Sequence, residues 1–497
     1  MPFAVILPIL VPLCGGLLLG LSKHSQTAGT SRIILVATVL LTLLCGISNL
    51  VLSGMEAELW SFAEGLTLAF NCDSLAGFTC LLFASVFLLV CIYSVAYMST
   101  DPAATRFHCC LLLVLGLVNG ACLAANLLTL FIFFELTTLA SLLLVLHNLS
   151  KEAISAAFKY LYYSITGAAL AVIGLFFLHA NLVSLTFVPG GLPDLGSLRD
   201  HDFFLQVIII LSIIGFAAKA GMFPLHAWLP AAHPVAPAPA SALLSGVITK
   251  VGVLAVVRFV FYLIGPQRIR GTWVQYLWIA LTLGTILLGS LCALREDLLK
   301  RRLAYSSVSQ VSYILFGLSC LTTAGFYGAL WHLVIHCLVK DAFFLAAGAI
   351  SLRTSRVLVS QLRGLAREMP ILWGSLALLA LAAIGIPPSG GFGSKWFLLA
   401  GSLALEESAF SFAGIITLFG SALLAAAYLL PLVVSGYFPG REEEKQDSPP
   451  DGMAEMVNPG KDMILPMATL AAVAFGLGLF AGPLPDLLNG LTRAVLR

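Results

Sequence analysis

Apolar runs of about 20 residues recur from one end of this chain to the other. Each is long enough to cross the hydrocarbon core of a bilayer as a helix. Such runs fall near residues 3–22, 33–53, 74–98, 107–125, 127–147, 154–179, 203–223, 239–264, 273–294, 303–320, 324–351, 371–400, 409–437 and 463–486, about fourteen in all. Of the 497 residues, 60% are hydrophobic and 10% charged, against roughly 25% charged in a soluble domain. The expected fold class is an all-α polytopic membrane protein.

Little chain remains outside these runs. Residues 54–73 and 180–202 have room for short strands or a hairpin, and 441–462 read as a polar loop. No soluble domain and no nucleotide-binding module fits. Lys23 and Arg32 follow the first apolar run rather than precede it, so that run reads as a retained helix and not a signal peptide. The 11 cysteines show no C-x-x-C spacing and lie mostly in apolar runs. We expect no iron–sulfur cluster, no disulfide framework and no metal or other cofactor. No nucleic-acid partner is expected.

Basic residues set the orientation. Loops after spans 1, 3, 5, 9, 11 and 13 carry fifteen lysines and arginines, from Lys23 to Lys461. The other face carries five: Arg199, Arg268, Arg270, Arg493 and Arg497. Positively charged loops stay in the cytoplasm, which places both termini on the opposite side.

Two spans are interrupted, the seventh by "KAGMFPLHAWLP" and the twelfth by "GIPPSGGFGSKW". Each is fourth in a run of five, spans 4–8 and spans 9–13. Because five is odd, successive runs enter the membrane from opposite sides, the arithmetic of an inverted repeat with paired broken helices. The segments are then 1–106, the two five-helix repeats 107–264 and 273–437, and 438–497.

Eight ionisable residues fall well inside spans: Glu135, Lys159, Lys219, Lys250, Arg258, Lys340, Asp341 and Lys395. Each costs roughly 2.5–3.5 kcal/mol at a helix centre. Structural pairing or snorkelling accounts for Lys159 and Arg258 as readily as function does. For the others the count argues against pairing, since Glu135 and Asp341 cannot neutralise four lysines. The surplus amines require water or intermittent neutrality. Desolvation and a nearby carboxylate act oppositely on a lysine's proton affinity, so a lysine under both can load and release a proton near neutral pH. Pro224 and the 385–391 prolines and glycines break helix beside Lys219 and Lys395, and broken helix at membrane depth is tolerated where it lines water or is packed in protein. His332, His336 and Lys340 recur at i, i+4 and i+8 on one helix face, as core histidines or as a relay. His226 falls in the wetted segment, and His233 beyond Pro230, toward the cytoplasmic rim.

The motifs "LTLFIFFELTTLASLLLV" (128–145), "AAKAGMFPLHAWLPAAHPVAPAPASALLSGVITKVGVLAVVR" (217–258), "LKRRLAYSSVSQVSYILFGL" (299–318), "LWHLVIHCLVKDAFFLAAGA" (330–349) and "GIPPSGGFGSKWFLLAG" (385–401) together resemble one family. It is the antiporter-like subunits shared by respiratory complex I, Mrp-type sodium/proton antiporters and membrane-bound energy-converting hydrogenases. The resemblance covers essentially every span. It implies that Glu135 forms an ion pair with Lys219, the central proton carrier, and that Lys250 bridges to His332, His336 and Lys340. Lys395 would end the axis, and His226 is a possible input. It also implies no redox chemistry in this chain and a place among other membrane subunits, homologous ones included, of a quinone oxidoreductase or hydrogenase type of complex in a bacterial or archaeal inner membrane. The transported ion would be the proton, with sodium exchange or an inorganic-carbon uptake complex as alternatives. A stand-alone transporter of a small organic solute is a further possibility, but no large polar pocket is visible for it. Two departures stand out: Ala231 follows "HAWLP" where the family often has an acid, and Asp341, which could pair with Lys340, is not expected after that lysine.

Overall fold

The computed structural model describes residues 3–21, 28–51, 54–193, 202–438, 459–480 and 482–496. Helices α1 (Phe3–Leu21) and α2 (Ala28–Val51) precede a two-stranded antiparallel hairpin, β1 (Glu56–Ala63) and β2 (Leu66–Asn71), paired from Glu56↔Asn71 to Ala63↔Leu66. Then follow α3 (Ser74–Tyr97), α4 (Ala104–Cys122), α5 (Leu127–Val145), α6 (Lys151–Asn181), α7 (Asp202–Ala220) and the short α8 (Leu229–Val235). A continuous helix α9 (Ala238–Ile264) comes next. After it are α10 (Trp273–Arg295), α11 (Leu299–Ser319), α12 (Thr323–Thr354), α13 (Pro370–Ile384), α14 (Gly390–Leu403), α15 (Ser408–Tyr437), α16 (Lys461–Gly476) and α17 (Leu484–Val495).

The expected spans all coincide with helices, but they are not equivalent. Among the described residues, eleven helices are long and apolar enough to cross a membrane alone. The other three spans fall short for separate reasons. α11 begins with a basic run and is rich in serine. The twelfth span is split into α13 and α14. α16 has 16 residues. The expected hairpin at 54–73 is present. In 180–202, Thr186 bridges Asn126, and the amides of Val188 and Leu192 bond to the carbonyls of Tyr262 and Leu263; residues 194–201 lie outside the described residues. So do residues 441–458 of the expected polar loop, and Lys23, Arg199 and Arg497.

Local chemistry sets the helix ends. Asp73, Asn126, Ser150 and Thr322 cap α3, α5, α6 and α12, each accepting an amide three residues on, which satisfies a donor the helix leaves free. Both broken helices end alike. Gly221 (φ +83°) follows α7 and Gly385 (φ +88°) follows α13. Only glycine enters that left-handed region without a Cβ clash. The first break therefore begins at Gly221, ahead of Pro224, where composition alone would put it.

Burial is uneven among the helices. Of the residues in the apolar stretch of α2, 33% are buried, and 39% in those of α6 and α15, whereas the apolar stretches of α9 and α12 are buried throughout. Leu17, Ile33, Phe176, Ile416 and Leu423 project from the outer helices, as suits contact with lipid. α9 and α12 form the centre, and they carry most of the internal charges.

Candidate functional site

Lys219 sits one residue before α7 ends. Its amine donates to the carbonyl oxygen of Phe134 on α5 and lies 3.7 Å from the centre of that ring, a cation–π contact. Glu135, the next residue on α5, interacts with Lys219 electrostatically. Among the described residues no contact ion pair joins them. Consecutive helix residues point about 100° apart, and the Phe134 carbonyl has captured the amine. The expected ion pair is thus a coupling through space. Oε1 of Glu135 is buried without a hydrogen-bond partner among the described residues.

From there the polar groups pass to the centre. Gly252 of α9 packs on the backbone of Lys219 and Ala220; a Cβ there would stand 2.7 Å from the Ala220 nitrogen. Two residues earlier, the Lys250 amine donates to the Ser245 carbonyl (2.6 Å) and meets Nδ1 of His336 on α12. One turn further along α12, Lys340 donates to Oγ of Ser306 (2.6 Å), which also accepts from the Tyr428 hydroxyl (2.9 Å). One turn back, Nδ1 of His332 lies 2.9 Å from Oγ of Ser394, and its ring stacks on Tyr313 with centroids 5.4 Å apart. The rings of His332 and His336 are 6.2 Å apart. The three α12 groups thus do share one buried stripe.

The axis ends at the second break. Lys395 donates to the carbonyls of Ala383 and Ile384, 2.8 Å each, and lies 5.1 Å from the Tyr313 ring. These carbonyls close α13, where the helix supplies no partners of its own and its dipole is negative. Tyr313 therefore contacts both His332 and Lys395. Lys395 also borders a cavity of about 260 Å³ with Phe392, Trp396, Leu418 and Phe419.

His226 lies away from this line. It borders an open crevice of about 630 Å³ with Lys151, Glu152, Lys159, Ala231 and Arg301. Lys159 is exposed there, so it is not an internal charge. Arg258 is one, but it forms a two-pronged ion pair with Asp73 (2.5 and 2.8 Å). Its partner was hidden from the charge count because Asp73 belongs to a connecting segment and caps α3. His233 does not reach the rim. It is fully buried, stacked 4.3 Å from Phe344. Nor does Asp341 pair with Lys340: the lysine turns toward α11, and the carboxylate toward Gly246 of α9.

Several polar groups escaped the sequence reading. Ser245 and Ser307 are 2.7 Å apart, and Ser290 bonds to both Ser309 (2.8 Å) and Ser421 (2.7 Å). The signal available was "SSVSQVS" inside a wholly buried stretch of α11.

Residues 124–420 match the family described as "NADH:quinone oxidoreductase/Mrp antiporter, TM", and residues 61–108 match "NADH-Ubiquinone oxidoreductase (complex I), chain 5 N-terminus". The NADH-quinone oxidoreductase subunit N of Desulforudis audaxviator is 31% identical, covering 96% of this chain and 95% of that one. A subunit of the Na(+)/H(+) antiporter of Bacillus subtilis is 30% identical over 95% and 94% of the two chains. A chain in the Mrp complex of Dietzia sp. shares the fold, with a TM-score of 0.84 at 22% identity, covering 100% of this chain and 98% of that one. Sequence, fold and relatives agree: this integral membrane protein belongs to the NADH:quinone oxidoreductase/Mrp antiporter family of membrane subunits.

Proposed function

We propose that this chain is a proton-translocating, antiporter-like subunit of a complex I-related membrane assembly. The observation that carries this reading is the line of side chains that runs between the two helix breaks through the two most deeply buried helices. It runs from Glu135 and Lys219 through Lys250, His336, Lys340 and His332 to Lys395. Each member can hold or pass a proton, and four are lysines within protein. Oε1 of Glu135 and Nε2 of His336 are buried without hydrogen-bond partners among the described residues. Such atoms ordinarily bind internal water, which would link neighbours not in direct contact.

The proposed cycle is electrostatic. A change at Glu135, imposed by a neighbouring subunit, alters the proton affinity of Lys219. Charge then shifts along α9 and α12 until Lys395 exchanges its proton. The two runs of five spans act as inverted halves, as their matching glycine-ended breaks suggest. Both termini lie opposite the cytoplasm of a bacterial or archaeal inner membrane. The partners are other membrane subunits, homologous ones among them, and no cofactor is held here.

The Bacillus subtilis relative is an Na(+)/H(+) antiporter component, so sodium exchange is the second reading. Vesicles holding the assembled complex separate the two. Turnover-linked proton uptake that persists unchanged without sodium supports the first. Uptake that requires sodium supports the second.

A further inference from the structure

Asp341 has no place in the axis described above, yet it is wholly buried beside it. A buried carboxylate is expensive unless other groups compensate it. Its Oδ2 takes a weak contact from the thiol of Cys337 (3.8 Å), and its Oδ1 has no hydrogen-bond partner among the described residues. The carboxylate packs against Gly246, where any Cβ would overlap it. Gly246 lies in a π-helical turn of α9, Leu244–Ile248, and such turns often mark functional sites. The preceding residue, Ser245, supplies the carbonyl that holds the Lys250 amine, and that amine meets His336, on the same helix as Asp341. Asp341 and Lys250 are thus brought together by adjacent backbone positions on α9, and they interact electrostatically. Among the described residues, Lys250 from α9 and Cys337 from α12 are the ionisable groups acting on Asp341, and Lys250 is itself faced by His336, Cys337 and Lys340 from α12.

We propose that Asp341 is a positioning residue for proton transfer, its carboxylate setting the proton affinity of Lys250 as Glu135 does for Lys219. The protein then holds two carboxylate–lysine units, one at the first break and one at the centre. The missing side chain at Gly246 is what admits the second. This inference rests on the relay reading above.

The test uses the assembled complex in vesicles, with Asp341→Asn, Asp341→Glu, Gly246→Ala and Lys219→Met. Without a neighbouring carboxylate, an ammonium group gives up its proton more easily. Asp341→Asn is expected to lower proton uptake about tenfold at the working pH and to move the pH profile of uptake about one unit to the acid side. Asp341→Glu should restore the profile. If Asp341→Asn fails to assemble, Gly246→Ala, which displaces the carboxylate, is expected to give the same acid-side move. A wild-type pH profile in Asp341→Asn, at any rate, or in Gly246→Ala where that variant is needed, would overturn the proposal, provided Lys219→Met is inactive. Wild-type uptake in Lys219→Met would instead overturn the relay reading itself.

Discussion

Lys250 and His336 meet side chain to side chain, Nζ against Nδ1, and they belong to the two most deeply buried helices. A cation held against an imidazole has a proton acceptor built into its site. His336→Leu removes that acceptor while keeping bulk. It is expected to cut proton uptake at least about tenfold, with assembly intact. His336→Gln, which keeps a polar group but cannot carry a proton, should be nearly as slow. Uptake rates in vesicles check both.

The two ends of the lysine series predict a ranking. Lys395 is fixed by two carbonyls at the end of α13, whereas Lys159 is exposed beside an open crevice. Lys395→Ala should therefore impair transport far more than Lys159→Ala. The reverse order would place the path along α6 and not through α12 and α14.

The Arg258–Asp73 pair predicts stability rather than transport. Arg258 is 2% exposed and Asp73 30% exposed. Removing one partner of a buried pair costs about 3–5 kcal/mol, and the partial exposure of Asp73 favours the lower end. Asp73→Asn also weakens the cap on α3. A lowered thermal midpoint of the purified complex, with residual activity per folded complex unchanged, is the expected result.

At the opposite end of α3, Asp101 lies in the loop before α4. Partial burial raises its carboxyl, but the bond from His147 (3.0 Å) and the Ala103 amide (2.7 Å) outweigh this and hold it below the usual carboxylate value. A depressed folded value stabilises above the unfolded value of about 3.9 and is lost as pH falls through the folded one. Acidification below about pH 4 should therefore loosen the α3–α4 and α5–α6 connections. Asp101→Asn should remove that acid dependence, as thermal midpoints across pH would show.

Much of this was legible in the residues. Apolar length located every span, and the cost of charge in lipid singled out Lys219, Lys250, Lys340 and Lys395 before any geometry was known. What escaped depended on contacts between distant residues. Asp73 lies in a connecting segment, and nothing in its neighbourhood names Arg258, 185 residues away, as its partner. The resemblance implied an ion pair between Glu135 and Lys219, and sequence cannot show that the Phe134 carbonyl intervenes. Asp341 follows Lys340 directly, which suggested pairing. On a helix, adjacent residues diverge, and each found a different neighbour. The second break was legible in its prolines and glycines, Gly385 included; the first was legible at Pro224 but not at Gly221, where a positive φ ends the helix.

The central claim is that protons move through Lys219. Turnover-linked proton uptake by vesicles containing the assembled complex with Lys219→Met tests it most directly, with Glu135→Gln alongside. Both variants should assemble and both should lose coupled uptake. Uptake at the wild-type rate in fully assembled Lys219→Met complexes would contradict the account.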